Sequence, residues 1–103
     1  MKLWEQRVRF TRALTTELLP AMYKAGVLPA YNWCKRCPDC KVGKLGAASF
    51  HCKGLAMDID LYDKDGNWLS SGIEHEQFAE LWESLGGTAG CRFNDANHYS
   101  WGE

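Results

Sequence analysis

The sequence predicts an α+β fold in which a small antiparallel sheet is flanked by helices. Three patterns carry that expectation: an amphipathic helical stretch at the start, a sharply alternating segment that runs into a hairpin signal, and a second helical stripe followed by an aromatic terminal segment. With 103 residues, 46% hydrophobic and 24% charged, the chain has the size and composition of one globular domain covering residues 1–103.

Over residues 4–25, Val8, Phe10, Leu14, Leu18 and Met22 recur mostly at three- and four-residue steps, with Glu5, Arg9, Arg12 and Glu17 between them. A helix collects such apolar residues on one face and leaves the charged set to solvent. Pro20 has no N–H to donate and is expected to bend or divide this helix, while Gly26 suits its C-terminus. Residues 28–33 mix aromatic and apolar side chains and predict a first strand. Residues 35–49 hold five charged side chains among glycine and proline, which predicts a loop over the surface.

Residues 54–62 alternate, with Leu55, Met57, Ile59 and Leu61 on one face and Ala56, Asp58, Asp60 and Tyr62 on the other. The expected strand therefore has a carboxylate-bearing face. Asp65-Gly66 signals a two-residue hairpin, with Trp68-Leu69 opening a returning strand. Ser70 or Ser71 is placed to cap a second helix over residues 74–85, where Phe78, Leu81, Trp82 and Leu85 form an apolar stripe ended by Gly86-Gly87. A glycine-rich link then leads into residues 91–101, whose His98, Tyr99 and Trp101 suit a terminal strand.

Charge narrows the function classes. Twelve Lys+Arg against thirteen Asp+Glu give a net charge of -1, so there is no broad positive field for nucleic-acid phosphates or an anionic membrane surface. No apolar run approaches the roughly 20 residues of a membrane-spanning helix. Residues 1–12 are charged and amphipathic, which predicts a protein made in the cytoplasm without a signal peptide and a monomer that does not insert into membranes.

The five cysteines, Cys34, Cys37, Cys40, Cys52 and Cys91, are odd in number and fit reduced thiols or a metal better than a disulfide framework. Cys34-x-x-Cys37-x-x-Cys40 has thiolate spacing suited to structural zinc, but a fourth ligand from Cys52 or Cys91 depends on the fold, and ordinary buried or surface thiols are the plainer reading. Asp58, Asp60, Asp63, Asp65 and Asn67 lack the offsets of a calcium-binding EF-hand, and a hairpin turn explains residues 63–67. His75 stands between Glu74 and Glu76 and is expected to be an exposed histidine at a helix start. The five tryptophans are expected to line a core and a cleft.

The remaining histidines and carboxylates carry the chemistry. His51 precedes Asp58 by seven positions, and Asp95 precedes His98 by three. Imidazole and carboxylate are both ordinary zinc ligands, and three protein ligands with a fourth position for water make a catalytic site. His51, Asp58 and His98 supply that set, and Asp95 is the candidate base that takes the proton from the attacking water. The plain alternative is a solvated His51 beside a loop and a hydrogen-bonded Asp58 within its strand.

The run Ser49-Phe50-His51-Cys52-Lys53-Gly54-Leu55-Ala56-Met57-Asp58 matches the S-x-H-x-x-G-x-A-x-D signature, and Asp95-Ala96-Asn97-His98 matches a second signature with an acidic residue three before the last histidine. In both the chain resembles the zinc D-alanyl-D-alanine carboxypeptidase and L-alanyl-D-glutamate peptidase family, the VanY-like enzymes that cut peptidoglycan stem peptides. The resemblance runs from about residue 28 to residue 103, and Trp82-Glu83-Ser84-Leu85-Gly86-Gly87 is similar to the small phage-encoded members.

The resemblance implies a hedgehog/D-Ala-D-Ala-peptidase-like fold, a Zn²⁺ held by His51, Asp58 and His98, Asp95 as general base, and a peptidoglycan stem peptide as substrate. It also implies an arginine ahead of the first signature that anchors substrate and stabilises the developing oxyanion. Arg36 is that candidate, with Arg92 and Lys44 as substitutes, because Cys37-Pro38-Asp39-Cys40 replaces the residues that usually follow. Ser49 is either a turn serine or a hydrogen-bonding neighbour that orients a ligand. The biological setting implied is a phage endolysin that reaches the wall after holin-type release or lysis. Hedgehog-type domains resemble the same family and keep a zinc site for binding, so a non-catalytic zinc-containing binding module is the alternative.

Overall fold

A computed structural model describes residues 1–32, 54–69, 73–93 and 97–101. Helix α1 (Leu3–Ala13) opens the chain, with the Lys2 main-chain N–H donating to Glu5 Oε1 at 3.0 Å. A π-helical turn (Leu14–Leu18) then leads into α2 (Leu19–Lys24). The division expected at Pro20 takes this form. Pro20 has no N–H for the carbonyl four residues back and its ring crowds that carbonyl; the turn just before it is widened so that Leu19 N–H reaches Leu14 O, five residues back. Phe10, Ala13, Leu14, Leu18 and Met22 are buried along one side. Gly26 closes the helix at φ +89°, with Gly26 N–H bonded to Tyr23 O and Val27 N–H to Met22 O, a cap that requires a left-handed residue.

Four antiparallel strands form the sheet: β1 (Leu28–Tyr31), β2 (Ala56–Tyr62), β3 (Gly87–Ala89) and β4 (His98–Trp101), in the order β1-β2-β4-β3. Helix α3 (Ile73–Ser84) lies between β2 and β3 in the chain, and a short 3-10 turn (Gly90–Phe93) follows β3. The class is α+β, as the sequence predicts. Leu55, Ile59 and Leu61 join the helical residues in one core, with Met57 packed against it, so the odd-numbered face of β2 faces the helices. At the centre of that core is Trp82, fully buried, with Phe10, Tyr99 and Trp101 arranged edge-on around it at centroid distances of 5.8, 6.0 and 5.5 Å. Trp82 Nε1 donates to Ser100 O at 2.9 Å, tying α3 to β4. A Cβ at Gly87 would collide with that indole, which explains the glycine.

Several expectations about the fold need correction. The sequence predicts a first strand reaching residue 33, whereas β1 ends at Tyr31, although Asn32 N–H still bonds Asp58 O at 2.8 Å. The strand expected from Trp68-Leu69 is reduced to a single bridge, Tyr62 to Trp68. Asn97 O takes the Ile59 N–H and Leu69 N–H takes the Leu61 carbonyl, so β4 and the returning chain share one edge of β2 and little room is left. The turn itself forms, fastened by Asp63 Oδ1, which accepts the main-chain N–H groups of Asp65 and Asn67 at 2.9 Å each. The glycine-rich link contains β3, where Thr88 alone favours a strand and pairing with β4 supplies the rest. Trp4 and Trp68 are exposed, outside the core that Trp82 and Trp101 join.

Among the described residues no helix is long and apolar enough to cross a membrane.

Candidate functional site

The even-numbered face of β2 carries Ala56, Asp58 and Asp60, and antiparallel pairing sets Asp58 opposite His98 of β4. Side chains opposite each other on paired strands project to the same face, so two strands deliver a carboxylate and an imidazole side by side. His98 Nδ1 lies 3.4 Å from Asp58 Oδ1. Asp58 is only 3% exposed, which for a carboxylate demands strong compensation by neighbours. Its main chain is fixed on both flanks: Asn32 N–H donates to Asp58 O on the β1 side, and Ile59 N–H donates to Asn97 O at 2.7 Å on the β4 side.

Of the residues singled out from the sequence, Asp58 and His98 are thus brought together. His51, Asp95, Arg36, Ser49, Lys44 and four cysteines, Cys34, Cys37, Cys40 and Cys52, lie outside the described residues. Cys91 is half-buried beside the core. Among the described residues no three or more histidine, cysteine, aspartate or glutamate side chains gather into a metal-binding group. Carboxylate and imidazole are nevertheless ordinary zinc donors, and their close placement on paired strands fits two members of a three-ligand set.

Gly54, four residues before Asp58, adopts φ +73°, and a Cβ there would meet Arg7 Nε of α1 at 2.7 Å. The left-handed backbone calls for glycine at this point of the first signature, whereas the guanidinium is the end of a flexible, exposed side chain that can move aside.

Two further hydrogen-bonded pairs involve these strands, one on each face of the sheet. Asn97 Nδ2 donates to Asp60 Oδ1 at 3.1 Å. On the core side of the sheet, His75 Nδ1 and the Tyr99 hydroxyl are hydrogen-bonded at 2.7 Å. His75 is 3% exposed, which corrects the expectation of an exposed histidine at the start of a helix. The signal was present, since residues 75, 78, 79 and 82 fall at the spacing of one helical stripe and put His75 in line with Phe78, Ala79 and Trp82. Burial holds the His75 imidazole below its usual range, against the weaker upward pull of Asp60 and Glu74. Burial also pushes the Tyr99 phenol well above its ordinary value. At neutral pH the pair is therefore an uncharged imidazole against an un-ionised phenol.

No family model matches the sequence, and no curated protein matches it. Among solved structures, the crystal structure of an L,D-carboxypeptidase, DacB from Streptococcus pneumoniae, is similar over 90% of this chain, with a TM-score of 0.53 and 17% identity. This chain spans 65% of that one, less than two thirds of its length. The likeness is one of fold: the small antiparallel sheet and its flanking helices are arranged as in that carboxypeptidase.

Proposed function

We propose that the protein is a zinc-dependent peptidase of peptidoglycan stem peptides, cutting as an L-Ala-D-Glu endopeptidase or a D-Ala-D-Ala carboxypeptidase in an endolysin-type setting. The observation that carries this reading is the buried Asp58 opposite His98 on paired strands, 3.4 Å apart, each at a ligand position of the two signatures. The carboxypeptidase-like fold supports it, and so does the likeness of residues 82–87 to small phage-encoded members.

In this proposal His51, Asp58 and His98 hold the metal. A zinc ion bound there would polarise the scissile carbonyl and lower the pKa of a water to about 7. Asp95 accepts the proton of the attacking water and returns it to the leaving amine. Arg36 supports the oxyanion or a substrate carboxylate. The near-neutral chain suits a short peptide better than a polyanion.

The division of roles is tested by Asp95→Asn and His98→Ala, assayed for bound zinc and for release of new amine from peptidoglycan fragments. Asp95→Asn is expected to retain zinc and lose about 10²–10⁴-fold in cleavage rate, the usual worth of a general base. His98→Ala is expected to lose both. Zinc loss from Asp95→Asn, or cleavage by it at the wild-type rate, contradicts the assignment.

A further inference from the structure

Asn97, the residue immediately before His98, is held by β2 through both its main chain and its side chain. Its carbonyl accepts the Ile59 N–H at 2.7 Å, and its Nδ2 donates to Asp60 Oδ1 at 3.1 Å across a half-buried contact. Asp60 is two residues beyond Asp58 on the same strand. One strand therefore supplies the carboxylate that faces His98 and also a second carboxylate that fastens the residue leading into His98. Partial burial reduces competition from water for this bond. With Asn97 fixed at both ends, the backbone enters β4 on a defined path and presents the imidazole opposite Asp58.

We infer that Asp60 is a positioning residue, which holds Asn97 so that His98 stays at ligand spacing from Asp58. This rests on the reading of Asp58 and His98 as metal ligands. A carboxylate here has two other conceivable uses, as a proton acceptor or as a direct ligand, and both depend on its charge. Accepting a hydrogen bond from Asn97 does not. Asp60→Asn keeps an oxygen acceptor and removes the charge, whereas Asp60→Ala removes both. Asn97→Ala breaks the same contact from the other partner.

The experiment is a cobalt(II) titration of the full chain, read by the visible d–d absorption of the bound ion, which reports affinity and ligand geometry independently of cleavage. Wild type is expected to bind, Asp60→Ala and Asn97→Ala to bind about tenfold more weakly with altered bands, and Asp60→Asn to stay within about twofold of wild type. If Asp60→Ala does not fold, Asn97→Ala carries the comparison. Wild-type affinity and bands in both alanine variants, with binding abolished in His98→Ala, overturn the role of Asp60 and leave the metal reading intact. Asp60→Asn binding as weakly as Asp60→Ala shows that the charge matters and also overturns it. A wild type with no cobalt bands, indistinguishable from His98→Ala, removes the metal reading and the role of Asp60 together.

Discussion

His98 and Tyr99 are neighbours in β4, yet strand alternation sends them to opposite faces of the sheet. His98 faces Asp58, whereas Tyr99 enters the core and meets His75. The His75–Tyr99 hydrogen bond is thus an anchor for β4 just beneath the candidate site. Its pH dependence follows from burial. The unfolded imidazole titrates near 6.5, and the folded one titrates lower, with Asp60 and Glu74 opposing burial only in part. Below about pH 6.5 the unfolded chain takes up a proton that the folded chain resists, so stability is lost as pH falls from there through the lower folded value. Denaturant unfolding at pH 7.5 and 5.5 should show this loss, and His75→Gln should make it smaller. An unchanged pH dependence in His75→Gln would show that other groups carry it.

Among the elements, β2 was the most legible in the sequence, because strict alternation from Leu55 to Tyr62 specifies which side chains face the core and which face the site. Helix α3 was legible for the same reason, apart from His75, whose polarity concealed its place on the apolar stripe. β3 was not legible. Of its residues only Thr88 favours a strand, Gly87 and Ala89 being poor strand formers, and its form comes from rungs to Trp101, Ser100 and Tyr99. The short return after Asp65-Gly66 depended on competition for one edge of β2, which no local pattern encodes. Of the candidate site, the positions of Asp58 and His98 in the two signatures were readable, but their pairing is a matter of strand register, which joins residues 40 apart in sequence. The hydrogen bond from Asn97 to Asp60 arises from that register too. At β3 the packing makes a sharp test. Gly87→Ala puts a methyl group into the Trp82 indole and strains the bond from Trp82 to Ser100. A destabilisation of about 1–3 kcal/mol is expected by denaturant unfolding, the usual cost of overpacking a core. A neutral result would mean that α3 moves away from the sheet at little cost.

For the molecule as a whole, a small core centred on Trp82 supports a sheet whose other face carries Asp58 and His98. At 103 residues such a domain buries only about 60–70% of its unfolded surface, so a ligand that binds the folded state alone adds stability that the core cannot supply. A bound metal held between β2 and β4 would act in this way, joining the carboxylate of one strand to the imidazole of the next. Catalysis, not metal retention alone, separates a peptidase from a zinc-holding binding module. The most direct measurement is mass spectrometry of purified muropeptides incubated with the zinc-loaded protein and with the same protein stripped by chelator. Zinc-dependent products whose masses correspond to hydrolysis of one stem-peptide bond are the expected result. Intact muropeptides with fully zinc-loaded protein, or the same products after the metal is stripped, would contradict it.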